Sequence, residues 1–200
     1  VPADLVGRIS DSVRAIRPDA VLLGEVIAEN QYRWVSGLHS PGRLDTATDF
    51  LVQEATYDWL WRRSTRAADV ADRLVLRDLR RGAPTWSRVA FVGTHDQPRF
   101  LTLTRDARVA RLGLLLVLTR PEIPALLYGD EVGLTGGVPD RAFEDAWPDR
   151  RCMPWDEDGR DGTTREIVRQ AIRARRTSPA LARGDLTFLD IETPWPGAPE

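Results

Sequence analysis

The 200-residue chain contains no lysine: its 28 basic residues are all arginine, set against 30 acidic residues for a formal net charge of −2 and a pI near 5.8. Arginine is spread among acids along nearly the whole chain, so no net-positive face is offered to a phosphate backbone and nucleic acid is not an expected partner. Cysteine is almost absent. Cys152 stands alone, which rules out an intrachain disulfide and a paired-thiolate metal site and gives no sign of an oxidising compartment. Long apolar runs are also missing: the longest, such as 112–119, fall far short of the ~20 residues of a membrane span. The first residues, Val1-Pro2-Ala3-Asp4, lack a charged region followed by an apolar one, so no signal peptide is read there. That says little for a chain that starts inside a longer protein. The cytoplasm is the favoured location, and no metal site or cofactor is identified from the residues.

What is present fits a globular body, with 42% hydrophobic and 29% charged residues. Leu5, Ile9, Val13 and Ile16 recur at helical spacing until Pro18 stops them. Ala20 to Gly24 is a short apolar run bounded by Pro and Gly, as a doubly buried parallel strand would be. Val89 to Gly93 and Ala125 to Tyr128 read the same way, and Leu44 to Ala47 is a weaker strand candidate. Helices are expected over 54–63, 67–81 (striped by Val70, Leu74 and Leu79), 106–118 and 163–176, with loops over 30–43 and 133–162. Leu186 to Ile191 reads as a strand of something new. This alternation points to a parallel α/β architecture. Each buried strand ends in Gly with acids or His just beyond, at the edge where such folds build their sites.

Glu25 directly follows the first strand, where apolar surroundings would raise its pKa and let it serve as a general acid. On position alone it reads equally as a strand-end carboxylate paired with an arginine. His95-Asp96 adds a donor and an acceptor at a second strand end; alone, such a pair is an ordinary loop contact. Arg99 could fix a nearby carboxylate, although a surface arginine is the plainer reading. Trp34 and Trp155 could be sugar-stacking platforms or plugs of their own loops. Asp130 and Glu131 read as organisers of loop hydrogen bonds, and nothing assigns a role to Asp45 or Asp49.

Taken together and in order, the segments Val21-Leu-Leu-Gly-Glu25-Val, Phe91-Val-Gly-Thr-His95-Asp96-Gln-Pro-Arg99-Phe and Pro124-Ala-Leu-Leu-Tyr-Gly129-Asp-Glu-Val-Gly133-Leu-Thr-Gly-Gly137 resemble the α-amylase superfamily of retaining glycoside hydrolases. The run Asp149-Arg-Arg-Cys-Met-Pro-Trp155-Asp156 is similar to the cyclomaltodextrinase and neopullulanase branch. The resemblance implies a (β/α)8 barrel of which this chain is the C-terminal half, about strands five to eight, over residues 1–178, with 179–200 leading into a truncated C-terminal β-domain. It implies action on α-glucosidic bonds of maltooligosaccharides, cyclodextrins or starch-like glucans. Glu25 matches the family's general acid/base. Asp96 matches the transition-state stabiliser, and His95 and Asp96 together the pair that holds the hydroxyls of the reacting sugar.

One departure is decisive. The family's nucleophile lies at the end of the fourth strand in a Gly-x-Arg-x-Asp pattern that is absent here, and a retaining site needs that second carboxylate about 5 Å from the acid. Length agrees, because a closed barrel takes ~250 residues and only about four strand-helix units can be counted. The chain alone is therefore expected to be inactive, its partner being the missing N-terminal half of the same polypeptide, where any Ca²⁺ would also bind. An open half-barrel exposes strand edges and apolar faces and favours aggregation. The rival reading is a non-catalytic carbohydrate-binding or interaction module derived from the same barrel; retention of Glu25, His95 and Asp96 argues against it.

Overall fold

A computed structural model describes residues 2–27, 44–81, 88–136 and 150–189. Helix α1 (Ala3–Ile16) leads to β1 (Leu23–Gly24). After β2 (Thr46–Thr48) come α2 (Phe50–Thr56) and a π-helical turn, Tyr57–Trp61, then α3 (Ala67–Arg81). Next are β3 (Arg88–Ala90), α4 (Phe100–Thr104), α5 (Ala107–Thr119) and β4 (Ile123–Pro124). Two 3-10 turns, Asp130–Val132 and Glu157–Gly159, precede α6 (Gly162–Thr177) and α7 (Pro179–Arg183).

The four strands form one sheet in sequence order, each parallel to the next. The parallel α/β expectation holds, and the shared direction puts every strand's carboxyl end on one side. Strand bounds shift from the sequence reading. The run 20–24 pairs only at its last two residues, and the run 125–128 lies just past β4. Pro124 lacks an N–H, which an edge strand tolerates. Two short helices, α4 and α7, have no counterpart among the expected elements, and α2 starts at Phe50 rather than Glu54. Leu186–Leu189, the described part of the expected final strand, pairs with no strand, and Leu189 is exposed.

The core gathers Val52, Leu60, Leu74, Val92, Phe100, Leu114, Val117 and Val168, from both the helices and the end of β3. Phe100 stacks on Tyr57, with ring centroids 5.4 Å apart, and Tyr57 meets Trp61 edge-on. The amphipathic stripe of α1 does not join this core. Leu5 and Ile9 are exposed and Ile16 is 89% exposed, while polar Ser10 is fully buried. Val21, Leu23 and Ile27 around edge strand β1 are exposed as well, so the doubly buried strand expected at 20–24 is not built here. No neighbour flanks its outer side among the described residues. No helix among them is long and apolar enough to cross a membrane.

Arginine ties the elements together. Arg14 of α1 grips Asp45 at 2.7 and 2.8 Å, and the same carboxylate accepts from the Leu22 N–H at 2.7 Å, so Asp45 fixes the opposite end of the sheet from Glu25. Arg175 of α6 donates to the Leu118, Arg120, Pro121, Glu122 and Leu181 carbonyls. Asp161 caps α6, accepting from the Thr163 and Thr164 N–H groups at 3.0 and 3.1 Å and from Arg111 at 2.8 Å. Burial pulls its pKa up, but the bonds from Thr164 and Arg111 outweigh that and hold it at about 2. A carboxylate whose folded pKa is depressed stabilises the fold above its unfolded value and ceases to do so as pH falls through about 4 to 2. Asp161→Asn is expected to cost about 1–2 kcal/mol in urea denaturation at pH 7, with the difference from the parent shrinking as pH is lowered through that window. A difference that stays constant with pH would assign the loss to the cap's shape and not to its charge.

Candidate active site

The polar ends of three strands meet at the carboxyl edge of the sheet. Gly24 closes β1 with its backbone packed against the Leu44 side chain, whose Cδ1 lies 2.5 Å from where a Cβ would stand. Thr48, at the end of β2, holds the next turn: its hydroxyl accepts from the Val26 N–H at 3.1 Å and donates to the Gly24 carbonyl at 3.5 Å. Glu25 lies between these two anchors. It is exposed, which corrects the expectation of an apolar enclosure; among the described residues β1 has a strand neighbour on one side only.

His95 and Asp96 follow β3 on the same edge. Both are exposed, with His95 Nε2 3.4 Å from Asp96 Oδ1. The Asp96 N–H donates to the Thr94 hydroxyl at 3.3 Å. Arg150, 54 residues on, donates to Asp96 Oδ1 at 2.6 Å and to the His95 carbonyl at 3.0 Å. Sequence reasoning does not find this contact, since nothing in the local pattern of Arg150 points to Asp96.

Beneath the His95-Asp96 turn lies a buried polar layer. Gln53 of α2 donates to the Val92 carbonyl at 3.1 Å and to Gln97 at 2.6 Å. Tyr57 sits beside them, its phenol pushed up by burial and by the nearby carboxylates of Asp130 and Glu54. Arg99 is not the surface residue that its sequence context suggests: it is 1% exposed and pairs with Asp130 at 2.9 Å. Burial raises the Asp130 pKa to about 6 against the pull of Arg99, with Glu131 adding to the rise. Gly129, at φ +90, supplies the left-handed turn that aims Asp130 inward.

Asp49, at the end of β2, is fully buried against Arg88, 3.5 Å away. Trp155 is 77% exposed, with the Arg160 guanidinium 5.8 Å from its ring. Trp34 lies outside the described residues. The arrangement brings together, on one edge, an exposed carboxyl group after β1 and an imidazole-carboxylate pair after β3. Such groups can exchange charge-assisted hydrogen bonds with a polar ligand.

Comparison with known proteins gives this edge a lineage. The family model described as alpha amylase, catalytic domain, matches residues 3–172. A cyclomaltodextrinase of Geobacillus thermopakistaniensis (strain MAS1) is 33% identical over 181 residues, covering 89% of this chain and 29% of that protein. A maltogenic alpha-amylase of Bacillus acidopullulyticus is 30% identical over 181 residues, 88% of this chain and 29% of the relative. Among solved structures, a cyclic alpha-maltosyl-(1→6)-maltose hydrolase from Arthrobacter globiformis shares the fold with a TM-score of 0.81 at 20% identity, over 96% of this chain and 41% of that one. A cyclomaltodextrinase structure superposes with a TM-score of 0.75 at 28% identity, over 90% of this chain and 29% of that one. The chain thus spans less than a third of the length of the curated relatives it matches. With its parallel strands, its strand-end residues and these matches in agreement, the chain belongs to the α-amylase catalytic-domain family.

Proposed function

We propose that this chain is the C-terminal half of an α-amylase-type (β/α)8 barrel, with β1 to β4 as its fifth to eighth strands. In this reading the full polypeptide hydrolyses or transglycosylates α-1,4-glucosidic bonds in maltooligosaccharides, cyclodextrins or starch-like glucans, with retention at the anomeric carbon. The reading rests chiefly on one observation: Glu25 and the His95-Asp96 pair lie beyond the carboxyl ends of β1 and β3 in a single parallel sheet. The names of the relatives, cyclomaltodextrinase and maltogenic alpha-amylase, point to the glucan class.

In the mechanism, Glu25 protonates the departing glycosidic oxygen while a carboxylate from the N-terminal half attacks the anomeric carbon. Glu25 then takes a proton from the water that releases the covalent intermediate. Asp96 accepts hydrogen bonds from hydroxyls of the reacting sugar, which tighten as positive charge develops on the ring, and His95 donates beside it. The nucleophile is not among this chain's motifs, so residues 1–178 acting alone turn over no substrate. The exposed stripe of α1 and the open side of β1 are where the first half would pack. Residues 179–200 then lead into a C-terminal β-domain.

The stereochemical course tests this reading. Proton NMR of fresh maltoheptaose digests by the full polypeptide is expected to show the α-anomer of the new reducing end before mutarotation. Initial β-anomer would overturn the retaining mechanism and the role given to Glu25.

A further inference from the structure

Arg99 lies three residues after Asp96, at the start of α4, and has no place in the chemistry above. Its side chain is 0% exposed and that of Asp130, its partner at 2.9 Å, is 8% exposed. The same guanidinium donates to the Tyr128 carbonyl and lies 4.8 Å from the centroid of the Tyr128 ring. The Arg99 N–H meanwhile donates to the Gly136 carbonyl at 2.8 Å, and the Gly136 N–H returns to the Thr102 hydroxyl at 2.8 Å. One residue thus joins the turn after β3 to both ends of the segment 128–136 that follows β4. Tyr128 in turn donates to the Arg151 carbonyl at 2.8 Å, next to the arginine that grips Asp96.

The cost of this arrangement points beyond folding. A buried ion pair is an expensive fastener, and an apolar pair of similar volume commonly does as well or better. Here a second carboxylate is placed beside it: Glu131 Oε2 is buried without a hydrogen-bond partner among the described residues. Charge of this kind retained under a site edge suits the holding of a geometry more than the holding of a fold.

We propose that Arg99, paired with Asp130, is a positioning residue that sets the place of Asp96 for the reacting sugar by locking the turn after β3 onto the segment after β4. The inference rests on the glycosidase reading above. The planar head matters here, because its Nη1 donates to both the Tyr128 carbonyl and the Asp130 carboxylate while its Cζ lies 4.8 Å from the Tyr128 ring centroid, an arrangement that a compact ammonium does not reproduce.

The test uses the full polypeptide and maltoheptaose. The double variant Arg99→Met/Asp130→Leu removes both buried charges and is expected to melt near the parent, yet to lose at least tenfold in kcat with KM within about threefold. A folded double variant with near-parental kcat overturns the proposal, since stability alone would then have been the pair's role. If the double variant does not fold, Arg99→Lys decides on the same criterion. If neither folds, the pair is structural and the proposal falls. Glu25→Gln is run alongside: full activity in that variant sinks the glycosidase reading itself, whereas an inactive Glu25→Gln beside a fully active Arg99 variant sinks only the inference.

Discussion

Replacing Glu25 by Gln in the full polypeptide is expected to lower kcat on maltoheptaose by about a thousandfold or more, with substrate binding nearly unchanged. The amide keeps the shape and most of the hydrogen bonding of the acid but has no proton to give to the glycosidic oxygen and no basic oxygen for the attacking water, so both chemical steps suffer. General acid-base catalysis alone is worth about a hundred- to ten-thousandfold. The split between kcat and KM matters as much as the size, because a group acting in the transition state moves kcat while one that only holds the sugar moves KM. Substrates with good leaving groups, such as aryl glucosides, need less protonation and should recover much of the first step. Near-normal turnover of maltoheptaose would remove Glu25 from the mechanism.

The largest effect on stability is expected at Glu122. Arg120 and Glu122 form a two-pronged pair at 2.7 and 3.0 Å, with side chains 3% and 0% exposed, at the point where the chain leaves α5 to enter β4. Glu122→Gln leaves the Arg120 guanidinium in the interior with no opposing charge among the described residues, and such a break costs about 3–5 kcal/mol. Against a total stability of about 5–15 kcal/mol, that is a large share. The turn is also where Arg175 collects the Arg120, Pro121 and Glu122 carbonyls, so loosening it should also loosen α6. Urea denaturation checks the prediction directly. A loss under about 1 kcal/mol would mean that water reaches the cation in the native state and that the site is less dry than its burial implies.

Sequence periodicity locates most helices because an apolar stripe sustained over a dozen residues fits a helix face and neither a strand nor a loop: α3 and α6 begin and end within about two residues of expectation. Helix α4 escapes because its five residues are too few for a repeat to register. The start of α2 is hidden for a different reason. Asp49 stands where a capping carboxylate belongs, but it makes no capping bond and faces Arg88 instead. The strands are legible as apolar runs but not as pairings, since register depends on the neighbouring strand.

At the site, Glu25, His95 and Asp96 can be found because each closely follows a strand, and strand ends are readable. Their surroundings cannot be found in this way. Arg99 meets Asp130 across 31 positions, and Arg150 meets Asp96 across 54. No local pattern distinguishes these two arginines from the other 26 of the 28 basic residues. The burial of Arg99 is a property of the fold, and so is the openness of Glu25, which follows a strand with one neighbour among the described residues.

The complete replacement of lysine by arginine reaches into the interior, where Arg88, Arg99 and Arg120 are each at most 3% exposed. An ammonium is a compact point charge that swivels on its stem, whereas a guanidinium is a flat plate whose donors leave at set angles. Interior contacts made by such plates fix an orientation as well as a separation, so the elements they join resist twisting as well as pulling apart.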